Sequence, residues 1–285
     1  MRIGAVVILT KAPSLEEELR KKFADLKKMG LESCQLVCWD PDIYRQLEVA
    51  DFAKSLSRET GVALSHFWCG YSGLVVWDFY EGERTIGIVP SATREKRTEE
   101  LLDGVKFARR LGVPYLVTHA GYIPENPYDP NYEPTIASLK RIASSLKEEG
   151  MSFLFETGQE TPVTLRRAIE DVGLGDLGVN LDPANLILYG KANPVDALDV
   201  LGPYVRGVHA KDGCYPTNGH DLGMEKRLGE GKANWPLFLH KLVHDYHYDY
   251  DWTIERECEE GSPEQIRDIL YARDYLRKLL QEEGK

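Results

Sequence analysis

Short apolar runs alternate with amphipathic helical stretches eight times along this 285-residue chain. Apolar runs of this length, each followed by a helix, are typical of parallel strands that are buried on both faces. Eight such units with no linker between them predict an α/β fold, a (β/α)8 (TIM) barrel that forms a single domain over residues 1–285. An open doubly wound sheet is the alternative, but the turn at 10–15 lacks its glycine-rich phosphate loop.

Turn and capping signals place the predicted elements. The strands are expected at 3–9, 34–39, 62–68, 115–119, 153–156, 177–182, 205–209 and 252–255. The helices are expected at 14–30, 44–57, 98–111, 135–149, 163–172, 194–201, 235–246 and from 262 onwards. The longest connections, 69–90 and 210–233, both follow strands. We therefore expect them on the C-terminal face of the barrel, where active sites are built.

Charge and cysteine content disfavour several classes of function. The formal net charge is -11 and the basic residues are scattered along helical faces, so no nucleic-acid partner is expected. No apolar run approaches the roughly 20 residues of a membrane span, and no export signal is recognisable. The five cysteines include no C-x-x-C pair, which predicts reduced thiols in a cytoplasmic protein. The sequence does not fix the oligomeric state, and a homo-oligomer is compatible with it.

Four of the predicted strands end on a residue that can bind a metal ion, namely Glu156, Asp182, His209 and Glu255. The C-terminal ends of neighbouring parallel strands meet at one rim, so we expect these side chains to converge. Three carboxylates crowded around a neutral imidazole are unfavourable unless a cation lies among them. The sequence therefore predicts one divalent metal ion, with Mn²⁺, Co²⁺ or Mg²⁺ favoured by the oxygen ligands and Zn²⁺ also compatible.

Each of these residues also has a structural alternative. Glu156 could pair with a nearby arginine, and the Asp182–Pro183 pair is typical of a turn or a helix cap. His209 could be a hydrogen-bonded core histidine. Glu257 shares a strand face with Glu255, but it lies farther from the apolar run and is expected outside the ligand set.

Six further residues are predicted to bind substrate, namely His66, Trp68, His119, Asn185, Lys211 and Arg227. His66 and His119 lie near predicted strand ends and are expected on the same rim, although a buried histidine bonded to backbone is the alternative. Arg227 could hold a substrate oxygen or phosphate, or pair with a nearby acid. Aromatic rings in and around the first long connection suit the apolar face of a sugar.

Five short sequences, four of which surround the predicted ligands, resemble those of the xylose isomerase-like barrel superfamily of sugar isomerases and epimerases. They are Phe-Glu-Thr-Gly-Gln-Glu-Thr, Asn-Leu-Asp-Pro-Ala-Asn, Val-His-Ala-Lys-Asp, Leu-Gly-Glu-Gly and Ile-Glu-Arg-Glu. In the ketose 3-epimerase branch, ligands in the order Glu, Asp, His, Glu hold one divalent ion, often manganese, cobalt or magnesium. The resemblance implies that Glu156 and Glu255 act as acid and base. The sequence departs from the branch at Asn185, where those enzymes tend to have a histidine.

These observations give a hypothesis for the reaction and leave alternatives open. A metal ion would chelate the carbonyl and neighbouring hydroxyl of a sugar, sugar phosphate or keto-polyol, and the two glutamates would exchange a carbon-bound proton through an enediolate. The same superfamily contains inosose dehydratases and apurinic-site endonucleases, and the latter bind three zinc ions with additional histidines. A sugar-binding barrel without catalysis is a third possibility.

Overall fold

The computed structural model describes residues 1–285, the whole chain. Its strands are β1 (Ile3–Leu9), β2 (Ser33–Cys38), β3 (Ala63–Cys69), β4 (Tyr115–Thr118), β5 (Ser152–Glu156), β6 (Gly178–Leu181), β7 (Val205–Ala210), β8 (Asp212–Cys214), β9 (Met224–Lys226) and β10 (Trp252–Ile254). Eight of them close into a barrel in the order β1-β10-β7-β6-β5-β4-β3-β2, and every neighbouring pair is parallel. The predicted (β/α)8 barrel is therefore confirmed.

Helices follow the barrel strands and surround them. They are α1 (Leu15–Lys28), α2 (Pro41–Tyr44), α3 (Leu47–Thr60), α4 (Gly82–Thr85), α5 (Arg94–Leu111), α6 (Tyr132–Glu148), α7 (Pro162–Val172), α8 (Pro183–Leu188), α9 (Pro194–Leu201), α10 (Trp235–His244) and α11 (Pro263–Glu282). None of them combines the length and the apolarity that crossing a lipid bilayer requires.

The capping signals explain where two of the long helices begin. Ser14 accepts a hydrogen bond from the backbone N–H of Glu17 at 3.3 Å, and Ser262 accepts one from Gln265 at 3.1 Å. Each bond satisfies a donor that the first turn of a helix leaves free. The sequence did not predict the short helices α2, α4 and α8 or the β8–β9 hairpin, because elements of three to six residues are too short to show a hydrophobic period.

Successive side chains along each strand face alternately outward and inward, and they form two packed layers. Residues on the outer face join a cluster of 68 buried hydrophobic residues between the barrel and its helices. The interior holds a small apolar group, Val37, Trp68, Val117 and Leu154, with buried polar side chains that include Gln35. A polar interior costs free energy unless its groups are paired. The interior thus supplies hydrogen-bonding groups directly beneath the C-terminal rim.

The connection between β3 and α5 is fastened to the barrel by the buried side chain of Arg97. Its guanidinium donates hydrogen bonds to the carbonyls of Thr85 and Gly87 at 2.7 Å, Leu74 at 3.1 Å and Ser72 at 3.2 Å. It also lies 4.4 Å from the centre of the Tyr71 ring. One side chain therefore holds most of a long irregular segment in a single conformation.

We expect Arg97→Met to lower the free energy of unfolding by about 3 kcal/mol, because it leaves several buried carbonyls without a donor. Urea unfolding measures the change. Arg109→Met is the matched control, because Arg109 is 66% exposed and pairs only with Glu149. Its effect should stay within about 0.5 kcal/mol. Equal effects of the two substitutions would show that Arg97 does not fasten the connection.

Candidate active site

Four barrel strands that are neighbours in the sheet deliver the predicted ligands. Glu156 is the last residue of β5, Asp182 directly follows β6, His209 lies one residue before the end of β7 and Glu255 directly follows β10. Because β5, β6, β7 and β10 are adjacent in the closed sheet, their C-terminal ends form one arc of the rim. The predicted convergence of these side chains is observed.

The His209 ring lies at the centre of the cluster. Its Nδ1 is 3.1 Å from Glu156 Oε1, 3.1 Å from Glu255 Oε2 and 3.7 Å from Asp182 Oδ2. One ligand atom from each of the four residues lies within 4.8 Å of the other three. The side chains of Glu156, Asp182 and His209 are buried, whereas that of Glu255 is 18% exposed. The cluster is therefore open to solvent on the Glu255 side.

Asp182 serves the fold and the cluster with different oxygens. Its Oδ1 accepts a hydrogen bond from the backbone N–H of Asn185 at 2.9 Å and so caps α8. The Thr157 hydroxyl fixes its backbone by accepting from the Asp182 N–H at 2.8 Å and donating to the Asp182 carbonyl at 2.9 Å. Its Oδ2 has no hydrogen-bond partner and faces the cluster. The helix-cap alternative and the predicted ligand role are thus compatible.

A lysine approaches one side of the cluster. Lys211 Nζ is 2.7 Å from Glu257 Oε1, 3.2 Å from Glu255 Oε2 and 3.6 Å from Asp182 Oδ2. It makes no ion pair with Glu156. One ammonium group cannot balance this number of carboxylates, so Lys211 neutralises the cluster only in part.

Burial and charge act against each other on these groups. Burial raises the pKa of Glu255, but Lys211 and His209 more than offset it and hold that pKa well below its usual value. For Glu156, burial is likewise outweighed by the imidazoles, and the pKa is lowered. For Asp182, burial prevails over the attraction of Lys211 and the pKa is raised. Burial lowers the pKa of His209, but the surrounding carboxylates raise it well above its usual value.

The donor set fits a divalent cation. His209 Nδ1 and Asp182 Oδ2 are buried and have no hydrogen-bond partner, and both face the point where Glu156 and Glu255 converge. Three carboxylates and one imidazole are ligands that Mg²⁺, Mn²⁺, Co²⁺ and Zn²⁺ accept. The four predicted residues could therefore hold such an ion.

Side chains from two other strands and from α8 orient the predicted ligands. The His209 Nε2–H donates to Gln35 Oε1 at 2.6 Å, which directs Nδ1 into the cluster. The indole N–H of Trp68 donates to Glu156 Oε2, and the Asn185 amide donates to Glu156 Oε1 at 3.3 Å. These contacts fix the Glu156 carboxylate from two sides.

The structure brings four of the six predicted substrate-binding residues to the cluster. Trp68 and Asn185 touch Glu156, His119 Nε2 is 3.5 Å from Glu156 Oε1, and Lys211 donates to Asn185 Oδ1 at 3.3 Å. Asn185 thus lies where it can contact a ligand, a water molecule or a substrate.

His66 and Arg227 are placed elsewhere. His66 lies in the middle of β3, and its Nε2–H donates to the Arg206 carbonyl at 3.3 Å, near the start of β7. The rim position expected for His66 is not observed, because the strand continues past it to Cys69. Arg227 lies 3.4 Å above the Tyr271 ring and pairs with Glu230 and Asp268, which matches the alternative given for it.

Aromatic rings form a wall beside Glu156. The ring centres of Trp39 and Trp68 are 4.4 Å apart, and Trp77 lies 5.9 Å from Trp39 and 5.2 Å from His119. The long connections after β3 and β7 meet above the barrel, where Tyr80 and His220 stack and share a hydrogen bond. The site is therefore a partly covered pocket with one aromatic side.

Sequence reasoning missed two groups close to the cluster. Gln35 gave no signal, because its contact with His209 spans 174 residues of chain. Glu160 belongs to the connection that follows Glu156, and both of its buried carboxylate oxygens lack a hydrogen-bond partner. Burial raises the pKa of Glu160 to about 8. In the sequence, Glu160 gave no distinct signal, because a role in a turn or as a helix cap would have explained its presence equally well.

We expect Gln35→Leu to weaken Mn²⁺ binding by about 10- to 100-fold, because His209 loses the acceptor that fixes its ring. Isothermal titration calorimetry measures the change. Gln281→Leu, at an exposed position on α11, is the control and should bind Mn²⁺ like the wild type. Unchanged affinity in Gln35→Leu would show that the ring is held by other contacts.

Metal binding should release a proton from His209. The raised pKa keeps the free imidazole protonated at neutral pH, and a ligand nitrogen must be unprotonated. Apparent affinity should therefore rise with pH, by up to about tenfold per unit, below the pKa of His209. Calorimetry in buffers of different ionisation enthalpy counts the protons. A release of zero protons at pH 7 would contradict this protonation state.

Comparisons with known proteins agree with this architecture. No curated protein is significantly similar in sequence. Among solved structures, a xylose isomerase domain protein from Planctomyces limnophilus is 28% identical with a TM-score of 0.89, covering 99% of this chain and 98% of that one. A D-tagatose 3-epimerase-like protein is 19% identical with a TM-score of 0.74 and coverages of 99% and 97%.

A xylose isomerase-like barrel protein from Mycobacterium smegmatis, solved in complex with magnesium, is 15% identical, with a TM-score of 0.73 and coverages of 99% and 97%. At 19% and 15% identity, the similarities to the D-tagatose 3-epimerase-like protein and to the Mycobacterium smegmatis protein show a shared fold only. A family model described as a xylose isomerase-like TIM barrel matches residues 23–279, nearly the whole chain. The chain therefore belongs to the xylose isomerase-like TIM barrel family.

Proposed function

We propose that this protein is a divalent-metal-dependent sugar isomerase or epimerase that uses Glu156 and Glu255 as acid and base. The observation that carries the proposal is the position of these two carboxylates. They come from separate strands, and each lies 3.1 Å from His209 Nδ1. A small substrate bound beside that point would have one glutamate on each side. The metal ligands would be Glu156, Asp182, His209 and Glu255, with one ion per chain.

A bound divalent ion would polarise a substrate carbonyl and so make the neighbouring C–H group more acidic. The protein groups supply the proton transfers. The lowered pKa values of Glu156 and Glu255 keep both carboxylates ionised and able to accept a proton from carbon. One glutamate removes the proton from carbon and leaves an enediolate. The other glutamate, after taking up a proton from solvent, delivers it to the opposite face of the same carbon, which gives the epimer.

The surroundings of the two glutamates suit a sugar or polyol. The aromatic wall formed by Trp39, Trp68 and Trp77 offers an apolar surface to a sugar face. Asn185, His119 and Lys211 lie on the polar side and can bind hydroxyl groups. The contact between Tyr80 and His220 joins the two long connections above the barrel. The structure of a D-tagatose 3-epimerase-like protein supports this substrate class by analogy.

A dehydratase is the second candidate, because it needs the same first step. After a proton next to a carbonyl is removed, a neighbouring hydroxyl group can leave as water when an acid protonates that hydroxyl. The structure of a probable 3-DHS dehydratase with this fold supports this alternative by analogy. Cleavage of abasic DNA is disfavoured, because Asn185 replaces a histidine of the three-zinc enzymes and His66 lies below the rim.

We also infer a cytoplasmic location. All five cysteines are free. Cys34, Cys38 and Cys69 are buried, and burial raises the pKa of the Cys34 and Cys38 thiols to about 12, so they stay protonated and unreactive.

We expect Glu156→Gln and Glu255→Gln each to lower turnover of ketohexoses with Mn²⁺ by about a hundred- to ten-thousand-fold, because each removes one proton-transfer group. With a single epimer as substrate, the variant that lacks the glutamate facing its C–H group should also lose exchange of that proton with deuterated solvent. Metal content must be measured in parallel, since glutamine is a weaker ligand.

Glu259→Gln is the control for these variants, because Glu259 is exposed and follows β10, the strand that also precedes Glu255. It should keep wild-type turnover. If either site variant turns over like the wild type when fully loaded with metal, the two-glutamate scheme is incorrect. Product analysis separates the candidates, since an epimerase conserves the substrate formula and a dehydratase releases water.

A further inference from the structure

We propose that His240, His244 and Glu283 form a second metal site on the outside of the barrel, which binds a borderline divalent ion such as Zn²⁺ or Ni²⁺ and fastens the C-terminal helix. The site is independent of the proposed sugar chemistry. His240 and His244 lie in the last two turns of α10, and Glu283 caps the C-terminal end of α11. Barrel helices run antiparallel to the strands, so both helix ends lie at the face opposite the active site.

The three side chains converge on one point. His240 Nδ1 is 2.9 Å and His244 Nε2 is 2.7 Å from the same oxygen, Oε2, of Glu283. The two rings are 4.7 Å apart at 42°. Histidines four residues apart on one helical face form a spacing that chelates zinc in other proteins. Two imidazoles and a carboxylate make the ligand set of several zinc sites, which leave a further position for water.

The distances allow an ion with a small adjustment. Ligand atoms around a tetrahedral zinc ion are about 3.3 Å apart, so the nitrogens must move from the carboxylate by about half an ångström. His240 and His244 are 51% and 45% exposed, and their side chains have room to do so. Lys241 does not compete for the carboxylate, because it pairs with Asp199 at 2.6 Å.

The chemistry of the two clusters differs. The active-site cluster has three carboxylates and one imidazole, and it suits hard ions such as Mg²⁺ or Mn²⁺. The outer cluster has two imidazoles and one carboxylate, and it suits Zn²⁺, Ni²⁺ or Cu²⁺. An ion there would connect α10 to the end of α11, the helix that packs against both β1 and β10 where the barrel closes. A metal bound to the folded chain only would raise its thermal stability.

Copper electron paramagnetic resonance and zinc calorimetry on the full chain test this proposal. The wild type should show a Cu²⁺ signal split by two imidazole nitrogens, and the variants at His240 and His244 distinguish it from a signal that His209 and the nearby His119 could give at the active site. Zn²⁺ should raise the melting temperature. His240→Ala and His244→Ala should each lose the two-nitrogen signal and weaken Zn²⁺ binding at this site at least tenfold, roughly the scale of losing a metal-site contact.

His247→Asn is the matched control. His247 is an exposed histidine just beyond α10 that is outside the cluster, and asparagine tolerates its positive φ of 54°. It should keep the two-nitrogen signal and wild-type Zn²⁺ affinity. Loss of the signal in His240→Ala with the signal retained in His247→Asn would support the outer site whatever the fate of the proposed reaction. The proposal is wrong if the wild type shows no two-nitrogen signal, or if the alanine variants bind Zn²⁺ like the wild type. These residues would then form only an ion pair.

Discussion

Repulsion among three carboxylates around one imidazole is the constraint on which the rest of this structure depends. Glu156, Asp182 and Glu255 approach His209 from three sides, where burial alone would disfavour their charges. Lys211 offsets part of that charge without reaching Glu156. Such an arrangement is costly in the free protein, and a bound divalent cation would relieve that cost.

The closed barrel is what makes so crowded a cluster tolerable. Each of the four residues lies at or next to the end of a strand, and strands hold side chains more rigidly than loops do. Inward-facing residues of distant strands touch across the interior, as Gln35 on β2 does with His209 on β7. Trp68 on β3 reaches Glu156 on β5 in the same way. The ligands are thus oriented by residues whose own positions are fixed by the barrel.

The connections above the rim contribute side chains around the site that do not lie on the barrel strands. Arg97 holds the segment after β3 against the barrel through four backbone carbonyls, and that segment carries Trp77 to the edge of the site. Contact between Tyr80 and His220 joins it to the connection after β7. Rigid strands therefore hold the clustered side chains, while fastened loops shape the surroundings of the cluster.

The sequence by itself determined the eight strand–helix units, the barrel and the four converging residues. Hydrophobic periodicity and the ends of strands are local properties of the sequence, and parallel pairing brings the C-terminal ends of neighbouring strands together. It could not place Gln35, whose role depends on a contact across the barrel. It wrongly placed His66 on the rim, because it could not show that this side chain bonds to the Arg206 carbonyl near the start of β7. Only the tertiary structure decided which polar side chains face the cluster and which, like Arg227, are engaged elsewhere. The physical reason is that orientation and pairing depend on side chains distant in sequence, whose approach no local pattern records.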